Sequence, residues 1–185
     1  LAKFKGTVFL STRIFTENTF GEAAVKKCLE SLQSEEQRML EGVTAVGWYP
    51  VEPVLKYHRA LDSLYGNGDL ELCVKVGEFS AVWSANTILK FFLRLKSPLW
   101  ILEKHQSVWS RYHDSGRWEI SRLGERAAMG KLLNFDVADE VFCARFRGWL
   151  QGAVRLTGGK GAKVEEIRCK ARGASHCEFK ISWEQ

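Results

Sequence analysis

The sequence predicts an α+β fold, with helices packed on a four-stranded antiparallel sheet. Three observations lead there. Apolar residues recur at helical spacing through the first two thirds of the chain, the pattern turns strand-like after Gly116, and a long amphipathic helix then separates two strand pairs. The 185 residues suit one domain, 1–185, with a helical part at about 15–113 and a sheet-rich part at about 117–185. No internal repeat, low-complexity stretch or linker rich in Pro, Ser or Gly divides it.

The elements follow in order. Residues 4–10 alternate apolar and polar and read as a strand or extended arm. Residues 20–32 read as a helix with Val25, Cys28, Leu29 and Leu32 on one face, and Ser34-Glu-Glu-Gln37 fits a capping box opening a second, short helix. Pro50 and Pro53 introduce a helix carrying Val51, Val54, Leu55, His58, Leu61 and Tyr65, closed by Gly66-Asn-Gly68. Asp69 can cap a helix to about Asn86 with Leu72, Val76, Phe79 and Trp83 in register. Ser97-Pro98 is a cap followed by a first-turn proline, opening a helix to about Tyr112. Residues 118–123 and 126–135 read as strands joined at Gly124-Glu125. A helix over 137–157 closes at Gly158-Gly159, and strands 163–171 and 175–183 turn around Arg172-Gly173-Ala174.

Composition restricts the function classes. The net charge is +5, but the basic residues are scattered rather than gathered into a stripe, which argues against nucleic-acid binding. The longest apolar candidate, 88–95, carries Lys90 and Arg94 and is too short for a membrane span. With no signal-peptide pattern and an odd count of five cysteines, a reducing cytoplasm is expected. The chain opens on Leu1, which reads as one domain of a longer protein. Seven tryptophans and eleven phenylalanines fit either a filled aromatic core or a lined pocket.

Three of the five cysteines fall in the last forty-odd residues. With a turn at Gly173, Cys169 and Cys177 face each other across a hairpin, and Cys143 lies with Phe146 and Leu150 on the helix face that can pack against it. A metal site, reduced buried thiols and a cross-strand disulfide all remain open from the residues alone. A carboxylate is harder to place. On a flat strand Glu166 and Cys169 point to opposite faces, so Glu165 has the better parity unless a bulge intervenes, and water or His176 could take its place.

The pattern Cys143, Gly148-Trp149, Glu166-x-x-Cys169-x7-Cys177 resembles the 4-vinyl-reductase-like domain, the small-molecule-binding part of phenol-responsive transcription activators. The resemblance implies a structural zinc held by Cys143, Glu166, Cys169 and Cys177. A longer resemblance, carried by Lys5-Gly-Thr-Val-Phe9, Phe20-Gly-Glu22, Trp48-Tyr-Pro50, Tyr112-x-Asp-Ser-Gly-Arg117, Cys169-x-Ala-Arg-Gly173 and Cys177-Glu-Phe179, is to an uncharacterised paralogous family of myxobacteria. The wider superfamily it implies includes haem-nitric-oxide-binding sensors and subunits of the TRAPP tethering particle. The haem binders' Tyr-x-Ser-x-Arg signature is missing, which argues against haem as cofactor.

The resulting expectation is a cytoplasmic sensory or regulatory domain, a homodimer, binding a small apolar or aromatic molecule. His58, Phe79, Trp83 and Trp109 are its candidate ligand-binding residues, with a hydrogen-bonded core histidine as the alternative for His58. The rival is a protein–protein interaction or dimerisation module like the TRAPP subunits, without a small ligand. Catalysis is not expected: no Ser-His-Asp or Cys-His arrangement has supporting context, and Gly158-Gly-Lys-Gly161 lacks phosphate-loop spacing.

Overall fold

The computed structural model describes residues 2–84 and 95–184. Its element order is β1 (Lys3–Lys5), α1 (Gly6–Phe20), α2 (Glu22–Glu30), α3 (Ser34–Glu41), β2 (Trp48–Pro50), α4 (Val51–Tyr65), α5 (Glu71–Trp83), α6 (Pro98–Val108), β3 (Arg117–Gly124), β4 (Ala127–Leu133), α7 (Glu140–Leu156), β5 (Lys160–Arg168) and β6 (Cys177–Glu184). The fold is α+β, as expected. The four-stranded sheet is antiparallel with order β3-β4-β6-β5, and β1 and β2 form a second, two-stranded sheet. The apolar segment 88–94 and the end of the helix expected to reach Asn86 lie outside the described residues.

The first element departs from expectation. Only Lys3–Lys5 is strand, and α1 begins at Gly6. The buried face of α1 is built from Val8 and Phe9 together with Ser11, Thr12 and Thr16, which have low apparent hydrophobicity. These hydroxyls can be buried because each bonds back to a carbonyl of the preceding turn: Ser11 Oγ to Val8 O (3.0 Å), Thr12 Oγ1 to Val8 O (3.2 Å) and Thr16 Oγ1 to Thr12 O (2.9 Å). A pattern read by apolar side chains alone misses such a helix. The expected helix over 20–32 survives as α2, separated from α1 at Gly21, whose φ of 86° suits glycine.

Elsewhere the local signals hold. Ser97 Oγ accepts from Trp100 N (3.2 Å) and Asp139 Oδ1 from Val141 N (2.8 Å), capping α6 and α7. The capping box of α3 sits one residue earlier than read, with Gln33 N donating to Glu36 Oε2 (3.2 Å). At α5 the buried carboxylate of Asp62, reaching across from α4, accepts from Leu70 N (2.9 Å) and Leu72 N (3.3 Å). Asp69 adds a bond from Glu71 N (3.0 Å).

Helix α7 is the axis of the molecule. One face lies on the sheet, whose inward side chains include Ala128 and Leu132 of β4, and Phe179, Ile181 and Trp183 of β6. Its other face crosses α5 at very short range. A Cβ on Gly148 would stand 1.9 Å from Val74 O, and one on Gly77 would stand 1.9 Å from Arg145 O. Glycine is required on both helices for the backbones to touch. Of the described helices, none is long and apolar enough to cross a membrane.

Candidate metal centre

Cys143 is one turn inside α7, fixed by the Asp139 cap and by the α5 crossing, and it points at the end of the β5–β6 hairpin. Cys177 opens β6 on the buried face that also carries Phe179 and Ile181. Cys169 ends β5, just before a 3-10 turn over Lys170–Arg172 and Gly173 at φ 89°. The turn is knitted by Ala174 N to Cys169 O (3.1 Å), and the Lys170 amide donates to Cys177 Sγ (3.3 Å).

The carboxylate question is decided by a bulge. Glu166 pairs with Phe179 and Arg168 with Glu178, so two residues on β5 span one on β6 and Ile167 is extra. That extra residue reverses the parity. Glu166 and Cys169 therefore face the same side, while Glu165 is exposed on the outer face opposite Lys180. Ligand atoms of Cys143, Glu166, Cys169 and Cys177 all lie within 4.8 Å of one another, and the three cysteines are buried. His176 Nδ1 bonds Ser175 Oγ and stays outside this cluster.

Distances separate the three possibilities for the thiols. Cys143 Sγ is 3.5 Å from Cys177 Sγ and 3.8 Å from Cys169 Sγ. A disulfide needs about 2.05 Å, and all five cysteines are free. A tetrahedron with Zn–S bonds of about 2.3 Å has edges of roughly 3.8 Å, so these sulfurs stand at the spacing of ligands to one ion. The hydrogen bond with Cys143 and the Lys170 amide draw the Cys177 thiol down to about 7. The same Cys177 contact, together with burial, pushes Cys143 up. Oε1 of Glu166 is buried and has no partner, while Oε2 accepts from Arg172 Nη2 at 2.5 Å.

The four candidate ligand-binding residues are placed apart. His58 is fully buried, donates from Nδ1 to Val54 O (2.7 Å) and meets Thr12 Oγ1 at Nε2 (3.0 Å). Burial holds it neutral, down to about 3, and it is a hydrogen-bonded core histidine. Phe79 packs edge-on against Phe15, and Trp83 is 37 % exposed at the end of α5. Trp109 belongs to a different region, with its indole N–H on Ser115 O (2.9 Å) and its ring stacked on His113.

Two buried groups escaped the sequence reading. His105 lies among Trp109, Trp118, Phe146 and Trp149, with the Trp149 ring at 4.1 Å. Its Nε2 is buried without a partner, and burial holds the ring neutral down to about 3. Its i,i+4 spacing to Trp109 was the visible signal. Arg145 of α7 is 8 % exposed and donates to Val8 O (3.3 Å), Ser11 Oγ (3.3 Å) and Ser80 Oγ (3.1 Å), joining α7 to α1 and α5. Nothing in the sequence distinguishes it from the exposed arginines.

Comparison with known proteins adds a family signal and a fold. The profile of the 4-vinyl-reductase domain matches residues 136–182, the segment that contains all four clustered ligands. No curated protein sequence matches the chain. An H-NOX protein from S. oneidensis in the Fe(II)NO state superimposes with a TM-score of 0.75 at 14% identity, covering 98% of this chain and 99% of that one. An unliganded Fe(II) H-NOX variant from K. algicida gives 0.73 at 15% identity, covering 98% and 97%. A third H-NOX structure, from work on heme distortion in that family, gives 0.67 at 15%, covering 98% and 95%. At such identities the likeness establishes the fold.

That likeness corrects the expectation against haem. The missing Tyr-x-Ser-x-Arg signature is a local sequence feature, whereas the fold used by these iron proteins is present almost end to end. One residue also fits the group. The neutral, unpartnered Nε2 of His105 is the donor type that haem iron accepts, although the rings now touching it would have to part for a macrocycle.

Proposed function

We propose that this chain is a sensory or regulatory domain that binds a small, largely apolar or aromatic molecule. Cys143, Glu166, Cys169 and Cys177 hold a structural zinc within it. The observation that carries the metal is the three-sulfur cluster at tetrahedral spacing with an unpartnered carboxylate oxygen beside it. A closed four-ligand site has no open coordination position, so the ion stabilises rather than catalyses. Zinc here joins α7 to the β5–β6 hairpin. The whole-chain likeness to H-NOX proteins and the match to the 4-vinyl-reductase domain support the sensory part.

Within that reading the ligand sits beside His105 and Trp109, where an apolar aromatic interior surrounds one free hydrogen-bonding nitrogen. His58, Phe79 and Trp83 then act at a distance, through the packing of α1, α4 and α5. A cytoplasmic homodimer belongs to the same reading, and five free thiols suit a reducing compartment. The test is a panel of phenols and other small aromatics against the purified chain. Binding to the native state raises the melting temperature by mass action and quenches tryptophan fluorescence. If no compound does either, the small-ligand reading fails and the interaction module takes its place.

The orphan nitrogen of His105 also favours a second reading, in which the bound group is haem. Haem would supply an iron centre for a diatomic ligand, and His105 would hold it from one side. Titration with haemin should then produce an intense Soret band that His105→Ala abolishes. Absence of that band in the unsubstituted protein dismisses this reading.

A further inference from the structure

Arg172 bridges the two elements that supply the metal ligands. Its Nη2 donates to Glu166 Oε2 at 2.5 Å and its Nη1 to Glu140 Oε1 at 2.9 Å. Glu140 opens α7 three residues before Cys143, so it shares that ligand's face of the helix. Arg172 itself lies three residues after Cys169, in the turn whose Lys170 amide donates to Cys177 Sγ. A cleft of about 220 Å³, lined in part by Glu140, Cys143, Arg147, Glu166 and Arg172, leads from solvent to this point.

Glu166 is divided between two tasks. Its side chain is 13% exposed, one oxygen is taken by Arg172, and the other is buried with no hydrogen-bond partner. A carboxylate rotates freely about its last bond unless something fixes it. A planar guanidinium fork held at its other end by Glu140 provides that constraint. Charge points the same way: three thiolates and a carboxylate place four negative charges around a divalent ion, and a guanidinium on the outer carboxylate oxygen offsets part of the excess.

We propose that Arg172, steadied by Glu140, is the positioning residue of the metal centre, holding Glu166 so that its free oxygen faces the three sulfurs. The inference rests on the zinc reading above and adds to it which outer residues make Glu166 a ligand. Metal ligands depend on such outer partners, whose loss weakens affinity by about 10- to 100-fold. An ordinary exposed ion pair would have no such effect. Arg172 is 53% exposed, and pairs of that kind contribute almost nothing to stability.

The experiment compares the full chain with Arg172→Ala, Arg172→Lys, Glu140→Gln and Glu166→Gln. Each is stripped of metal, checked for an unchanged far-ultraviolet circular dichroism spectrum, and titrated with cobalt(II) and with zinc against a chromophoric chelator. Arg172→Ala should bind zinc about 10- to 100-fold more weakly. Its cobalt complex should keep the thiolate charge-transfer bands while its ligand-field bands move to those of Glu166→Gln. Arg172→Lys should recover part of the affinity, and Glu140→Gln should fall between the unsubstituted chain and Arg172→Ala. If the unsubstituted chain loads and Arg172→Ala matches it in affinity and spectrum, the inference is overturned and the zinc reading stands. An unsubstituted chain that takes up neither ion overturns both.

Discussion

Gly148→Ala places a methyl group where α5 and α7 touch. The new Cβ would lie 1.9 Å from Val74 O, 2.7 Å from Val74 C and 2.9 Å from Val74 Cα, all backbone atoms that no rotamer change can move. Ordinary contact begins near 3.4 Å, so the helices must part locally by 3.4 − 1.9 = 1.5 Å. That displacement also opens the contacts of Gly77 with Arg145 O and of Gly152 with Ala81. Overpacking of this kind costs about 1–3 kcal/mol, and a rigid backbone collision belongs at the upper end. Alanine's helix propensity returns about 1 kcal/mol, leaving a net loss of roughly 2 kcal/mol. For a domain of this size that is a fall of about 4–8 °C in melting temperature. Gly124→Ala, with nothing within 4 Å, is the control and should stay within about 0.5 kcal/mol of the unsubstituted protein. Thermal and urea unfolding of the metal-loaded chain read both. If Gly148→Ala melts within about 1 °C of the unsubstituted protein, the close crossing is wrong, and with it the placement of Cys143, which the crossing fixes.

Acid should destabilise the fold early. Burial holds His58 and His105 neutral down to about 3, and His113 is also well below its usual 6.5, while the unfolded chain takes up these protons normally. Their contribution is therefore complete above about pH 6.5 and is lost as pH falls toward 3, at up to about 1.4 kcal/mol per pH unit for each histidine. Urea midpoints that do not change between pH 7.5 and 5 would contradict it. Asp62→Ala leaves the amides of Leu70 and Leu72 without their acceptor and should cost about 1–2 kcal/mol, seen as a lower urea midpoint with unchanged slope. An unchanged midpoint would show that Asp69 caps α5 alone.

How far the sequence could be read depended on which interaction carried each element. Ser97 and Asp139 are caps that act within their own turn, and α6 and α7 were legible from them. The four-stranded sheet was legible because β4 and β6 alternate cleanly between buried and open faces. Helix α1 was not, since its buried face uses hydroxyls whose satisfaction depends on the helix already being formed. The sulfur cluster followed from a hairpin register, but the choice of Glu166 over Glu165 turned on the extra residue Ile167, which has no signature in the sequence. The grouping of His58, Phe79, Trp83 and Trp109 assumed that apolar helix faces converge. Instead, Trp83 lies at the surface and His58 is satisfied by its own and a neighbouring helix. Charge gave no warning of Arg145 or Arg172, because burial and pairing are properties of the fold.

The most direct test of the zinc centre is native mass spectrometry, with elemental analysis, of chain purified without chelator. About one zinc per chain is expected, lost from Cys143→Ser, Cys169→Ser and Cys177→Ser and retained in Glu165→Gln. A folded chain that carries no metal and takes none up from added zinc would contradict the metal centre, and would leave the three sulfurs as buried thiols.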